Sequence, residues 1–112
     1  MPALNLIVIR SRDIDRMAEF YNVLGLNFGK HTHGQSPEHY ASENNGVVIE
    51  LYPATEKEPP TTDIRLGFQV DVPLEEPLFS ALEKKGGRVA SCWSALAIVL
   101  DPDGHKVHLL KR

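Results

Sequence analysis

Asp13-Ile14-Asp15-Arg16-Met17-Ala18-Glu19-Phe20-Tyr21-Asn22-Val23-Leu24-Gly25-Leu26 reads as one amphipathic helix with both of its ends marked. Ile14, Met17, Tyr21 and Leu24 recur at the spacing that lines one helix face, and Phe20 and Val23 widen the stripe. Asp13 can accept from the unpaired amides of the first turn, and Gly25 supplies the left-handed residue that stops the helix. Ahead of it, residues 4–10 are apolar on both faces and predict a central strand. Behind it, residues 26–33 and 38–42 predict strands separated by Gly34-Gln35-Ser36-Pro37. Asn44-Asn45-Gly46 predicts a tight hairpin into a strand over 47–52. The first half is therefore β-α-β-β-β.

The same order recurs. Residues 53–62, with three prolines and several charges, read as a linker. Residues 64–72 alternate, with Leu66, Phe68 and Val70 on one face and Arg65, Gly67 and Gln69 on the other. Leu74, Leu78, Ala81 and Leu82 mark a second helix, which tolerates Pro73 and Pro77 only near its first turn. Gly86-Gly87 ends it, and strands are predicted over 88–93, 96–100 and 106–111. Two copies of one supersecondary unit form an internal repeat. The expected class is α+β, with module one at 1–53, a linker at 54–62 and module two at 63–112.

Bulk properties narrow the function. The chain has 112 residues, 42% of them hydrophobic and 24% charged, as in one ordinary globular domain. A net charge of −3 and the absence of any basic run argue against a nucleic-acid partner. No apolar stretch approaches the roughly 20 residues of a membrane span, and the first residues carry no signal-peptide pattern. Cys92 stands alone, which excludes an internal disulfide and fits a reducing, cytoplasmic setting. No phosphate loop, nucleophile elbow or nucleotide fingerprint is present.

Three stretches carry a family resemblance. The Asp13 to Leu26 helix, with its Phe20-Tyr21 and Leu24-Gly25 pairs, resembles a signature helix of the vicinal oxygen chelate superfamily. Val47-Val48-Ile49-Glu50-Leu51 resembles that family's fourth strand, and Asp101-Pro102-Asp103-Gly104 the turn before its eighth. The superfamily includes glyoxalase I, bleomycin-resistance proteins, fosfomycin-resistance enzymes and extradiol dioxygenases. The resemblance implies two βαβββ modules, each a curved mixed sheet with a helix on its convex side. Their concave faces are expected to enclose a cavity, within one chain or across a homodimer.

In metal-using members four side chains enter that cavity. The resemblance places the four positions on Leu6, Glu50, Arg65 and His108. A catalytic divalent site needs about three protein donors plus open positions. Leu6 donates nothing, and Arg65 is a fixed cation without an acceptor. No metal and no other cofactor is expected. Instead, Arg65 can pair with Glu50 and fill the vacant metal position. Alternatively, Arg65 and His108 could meet a substrate carboxylate or enolate, with Glu50 as base.

Strand parity puts Leu6, Val8, Glu50, Tyr52, Arg65, Gly67, Gln69, Lys106 and His108 on the cavity side. His31, His33 and His39 could gather three imidazoles, but Lys30, Gly34, Gln35 and Ser36 around them look like a solvated hairpin end. His105 is expected to be exposed in its turn. Trp93 and Tyr52 could stack on a ligand, though packing in a core or interface is the plainer expectation. Cys92 is expected to be inert.

The best-supported reading is a metal-free small-molecule binding protein, for a drug or metabolite, probed by Glu50, Tyr52, Arg65, Gln69 and His108. The alternative is a glyoxalase I-type (lactoylglutathione-lyase-like) lyase or isomerase with a degenerate metal site.

Overall fold

The computed structural model describes all residues from Met1 to Arg112. Helix α1 (Ile14–Val23) starts where Asp13 caps it, its side chain accepting from the Arg16 amide at 3.0 Å. Gly25 follows the helix at φ 109°, a conformation that favours a residue without a Cβ. Around this helix lie β1 (Leu6–Ser11), β2 (Gly29–His31), β3 (His39–Asn44) and β4 (Val47–Pro53). The second module repeats the order with β5 (Arg65–Val70), α2 (Glu76–Lys84), β6 (Arg88–Trp93), β7 (Leu96–Leu100) and β8 (Lys106–Lys111).

Each module forms one mixed sheet, ordered β1-β4-β3-β2 and β5-β8-β7-β6. The pairs β1/β4 and β5/β8 are parallel and the rest antiparallel. The two sheets remain separate, so the expected βαβββ repeat and α+β class are present without a closed barrel. No helix is long and apolar enough to cross a membrane.

Two boundaries differ from the sequence reading in ways that local chemistry explains. Residues 26–28 are not strand, because their amides are taken by the Tyr21 carbonyl, for Leu26 at 3.3 Å, and by side chains. Asn22 Oδ1 accepts from Phe28 N at 2.7 Å and Ser42 Oγ from Asn27 N at 3.1 Å. Helix α2 begins at Glu76, leaving Leu74 outside, with Pro77 in the first turn where its missing N–H costs nothing. The linker is also ordered. It lies along the end of β1, where Thr61 N donates to the Arg10 carbonyl and Arg10 N to Thr61 Oγ1, both at 2.9 Å. Ala54 N donates to the Ser11 carbonyl at 2.8 Å, and Arg10 faces Glu58 at 3.5 Å.

The helix-bearing sides of both sheets share one core. Ile9, Met17, Phe20, Tyr21 and Leu51 of module one and Leu82, Val99, Val107 and Leu109 of module two are buried in the same cluster. Phe20 crosses to module two and lies where Gly87 leaves room. A Cβ at Gly87 would stand 2.3 Å from the Phe20 ring.

Beside it, Tyr21 Oη donates to Asp101 Oδ2 at 2.6 Å. Asp101 Oδ1 accepts from the Asp103 and His105 amides at 3.0 Å each, which folds the turn. The two signature motifs are thus bonded to one another. Burial raises the Asp101 carboxyl above its ordinary range, although these hydrogen bonds oppose the shift. Burial and the neighbouring Asp101 carboxylate push the Tyr21 phenol far up, so it remains a donor.

A carboxyl raised by folding adds stability that is full below its unfolded pKa of about 3.9 and is lost as pH rises through its folded value. Asp101→Asn keeps an acceptor for both amides and can donate to Tyr21 Oη. It should therefore flatten the decline in stability that Asp101 causes above about pH 4, as read by urea melts across that range. Tyr21→Phe, which strands the carboxylate, should cost about 1–3 kcal/mol in the same melts at neutral pH.

Candidate functional site

The face of each sheet turned away from the helices is open in the single chain. On the first sheet the register Arg10↔Tyr52 and His31↔His39, with Tyr40↔Leu51 placing His39 opposite Tyr52, makes a row across all four strands. The next row is Val8, Glu50, Ala41 and Gly29. Its last two members are small, so the floor beside the Glu50 carboxylate is low. Leu6 and Val8 share this face and are 48% and 40% exposed, too much for core leucine and valine.

The first row is a stack. His39 lies on Tyr52 with ring centroids 4.4 Å apart and planes 5° from parallel. The Arg10 guanidinium covers Tyr52 at 5.4 Å from the strand on its other flank. Both faces of Tyr52 are thus occupied within the chain, the packing that was the plainer expectation from the sequence. Only its hydroxyl edge is free for a ligand.

His39 corrects an expectation. It is not at a solvated hairpin end but is 3% exposed. Its Nδ1 lies 3.2 Å from the Pro37 carbonyl and its Nε2 4.0 Å from Glu50 Oε2. His31 and His33 flank it at ring separations of 5.9 and 5.6 Å, and are themselves exposed. Parity held the missed signal. A two-residue turn at Asn45-Gly46 fixes the β3/β4 register, and that register sets His39 against Tyr52.

On the second sheet His108 stands in the row Gly67, His108, Ile98. Its neighbours Val107 and Leu109 are fully buried on the core side. Gly67, having no side chain, leaves the imidazole room on one flank. His108 Nε2 is nevertheless buried and has no hydrogen-bond partner. Arg65 and Lys106 are register partners in the adjacent row, both exposed, and neither belongs to an ion pair of the chain. Gln69 pairs with Leu110, which is 46% exposed, and Trp93 is 54% exposed at the same end. Trp93 is therefore not core packing. His105, expected in solvent, is 3% exposed beneath the Asp101 turn.

Arg65 and Glu50 lie on different sheets and form no ion pair within the chain. The ionisable neighbour of Glu50 is His39. A cavity of about 640 Å³ lies apart from Glu50 and His108. It lies between β1 and β5 and is lined chiefly by apolar side chains such as Ile7, Leu26, Val47, Leu66 and Phe68. Its polar lining, Asn44, Asn45, Gln69, Asp71 and Arg112, includes no histidine and neither Glu50 nor Arg65.

The two open faces belong to a known architecture. A family model for the Glyoxalase/Bleomycin resistance protein/Dioxygenase superfamily matches residues 3–109, and the chain belongs to that superfamily. Among similar solved structures, a hypothetical protein from S. aureus is 16% identical with a TM-score of 0.72, covering 100% of this chain and 95% of its own. A glyoxalase/bleomycin resistance protein from Albidiferax ferrireducens is 20% identical with a TM-score of 0.69, covering 97% and 98%. An antibiotic binding protein from a Streptomyces species is 18% identical with a TM-score of 0.67, covering 99% and 96%. No curated protein matches the sequence.

The family's metal does not fit the four residues that stand at its ligand positions. Leu6 has no donor atom, Arg65 brings a positive charge, and no three His, Cys, Asp or Glu side chains gather into a metal site anywhere in the chain. After dialysis, elemental analysis should find no stoichiometric zinc, nickel, manganese or iron held by Glu50 and His108. One equivalent per chain, lost in both Glu50→Ala and His108→Leu, is the contrary result.

Proposed function

We propose that the protein binds a small organic molecule without a metal, between the open face of one copy's first sheet and that of a second copy's second sheet. The supporting observation is the complementarity of the two faces. The first carries Glu43 and Glu50, with Arg10 at its edge already facing Glu58, and the second carries Arg65, Lys106 and Arg88. Each also exposes large apolar side chains, Leu6 and Val8 on one, Leu110 and Trp93 on the other. Joining opposite charges and covering apolar surface favours the unlike pairing of faces over the like. Two such contacts related by a twofold axis close into a homodimer.

In that arrangement Glu50 and Arg65 meet across copies, the pairing that the single chain lacks. The ligand lies between the apolar residues and is anchored by the Tyr52 hydroxyl, Gln69 and His108, whose unbonded Nε2 is the clearest unmet polar group on either face. The similar antibiotic binding protein supports this class of ligand. A lyase reading would require metal donors that Leu6 and Arg65 do not supply.

Sedimentation should show a dimer, weakened more by Arg65→Ala than by the double change Arg65→Ala with Glu50→Ala, since the single change strands a carboxylate. A monomer at all concentrations contradicts the assembly. A binder found by thermal-shift screening should bind His108→Leu about tenfold more weakly, the cost of roughly one hydrogen bond. Equal affinity removes His108 from the site.

A further inference from the structure

The gap between His39 and Glu50 has a chemistry of its own. A carbonyl oxygen only accepts, so the contact with Pro37 places the hydrogen of His39 on Nδ1. Nε2 faces Glu50 Oε2 across 4.0 Å. An imidazolium bonded to a carboxylate closes to about 2.8 Å, so these two groups are not bonded to one another. The ring is held where it is by the Tyr52 stack on its face and the Pro37 carbonyl on its edge. Two acceptors therefore confront a shared space, above the low floor of Ala41 and Gly29, with the His31 and His33 rings standing beside it.

Distance discriminates between occupants. A transition metal about 2.1 Å from both atoms would see them at an angle of about 145°, far from the ~109° of a tetrahedral site. A nitrogen donating hydrogen bonds of about 2.9 Å to both would see them at about 90°, a bend that hydrogen bonds tolerate better than coordination does. The carboxylate supplies negative charge, and no positively charged side chain of the chain pairs with it.

We infer that His39 Nε2 and Glu50 Oε2 form a seat for a nitrogen cation bearing N–H donors. Two sources carry this chemistry: the alkylammonium group of a ligand, and the Arg65 guanidinium of a second copy. Only the second source rests on the proposed dimer; the seat itself rests on the geometry of one chain.

The test is imidazole nitrogen–proton correlation NMR of the full-length protein, with benzylammonium as probe and benzyl alcohol as its neutral counterpart. In the apo protein His39 should be the neutral Nδ1–H form. Benzylammonium should shift its Nε2 resonance saturably while benzyl alcohol does not, and Glu50→Gln should weaken the response about tenfold, as loss of a charge-assisted hydrogen bond implies. If the wild type is silent but Arg65→Met responds, the seat stands and its resident is Arg65. Glu50 is only half-buried, so its variant should keep the fold, which a thermal melt checks. Three outcomes overturn the seat: His39 already an imidazolium, silence in both backgrounds, or zinc displacing the probe in a manner lost on removing His31 and His33. Sedimentation of the same samples reports the dimer separately, so a failed dimer and a failed seat are distinguishable.

Discussion

The hydrogen bond from Tyr21 to Asp101 holds the two halves of this chain in one molecule. Tyr21 lies edge-on to Phe20 and Phe28 of its own module and at 6.1 Å from Phe68 of the other, so one ring spans both. Its hydroxyl ends on a carboxylate that is 2% exposed and already engaged by two amides of its own turn. Such a carboxylate is tolerable only because every lone pair facing the interior has a donor. Phe20 seats against Gly87 on the same seam. The residues that mark the family in the sequence are therefore architectural. Glu50 apart, they set how the modules pack rather than what the open faces do, so membership alone does not fix an activity here.

The open faces obey a simple rule. In each sheet the polar residue at the centre stands on a strand paired on both sides, Glu50 on β4 and His108 on β8. Each is flanked by a residue without bulk, Ala41 in one case and Gly67 in the other. A rigid strand fixes the polar atom, and the small neighbour keeps space above it. The corresponding bulky residues, Tyr52 and Leu110, are displaced one row along. The repeat thus places one polar residue in the same setting on each sheet, Glu50 on the first and His108 on the second.

Most of the fold was legible because hydrophobic period and turn chemistry agreed along the chain. The cap at Asp13, the stop at Gly25 and the Asn45-Gly46 turn each fixed a boundary from one residue's conformational preference. Residues 26–28 were misread because the Asn27 and Phe28 amides are satisfied by Ser42 and Asn22, contacts that no local pattern encodes. Which residues share the open faces followed from parity, as the burial of Val107 and Leu109 shows for His108. His39 and His105 escaped because polar neighbours in sequence implied solvent. Burial of each depends instead on what lies opposite, Tyr52 for one and the Asp101 turn for the other.

The ordered linker has a kinetic consequence. Residues 54–62 could in principle act as a hinge through which two chains exchange modules, since exchanged and unexchanged forms would share the same contacts. Here the segment is fastened to β1 by amide bonds from Ala54 and Thr61 and by the Arg10–Glu58 pair. Releasing a module would mean breaking these and pulling Phe20 and Tyr21 from the common core. Each chain is thus committed to its own second half before it meets another. Any pairing of copies would then be a docking of finished molecules rather than an exchange of modules.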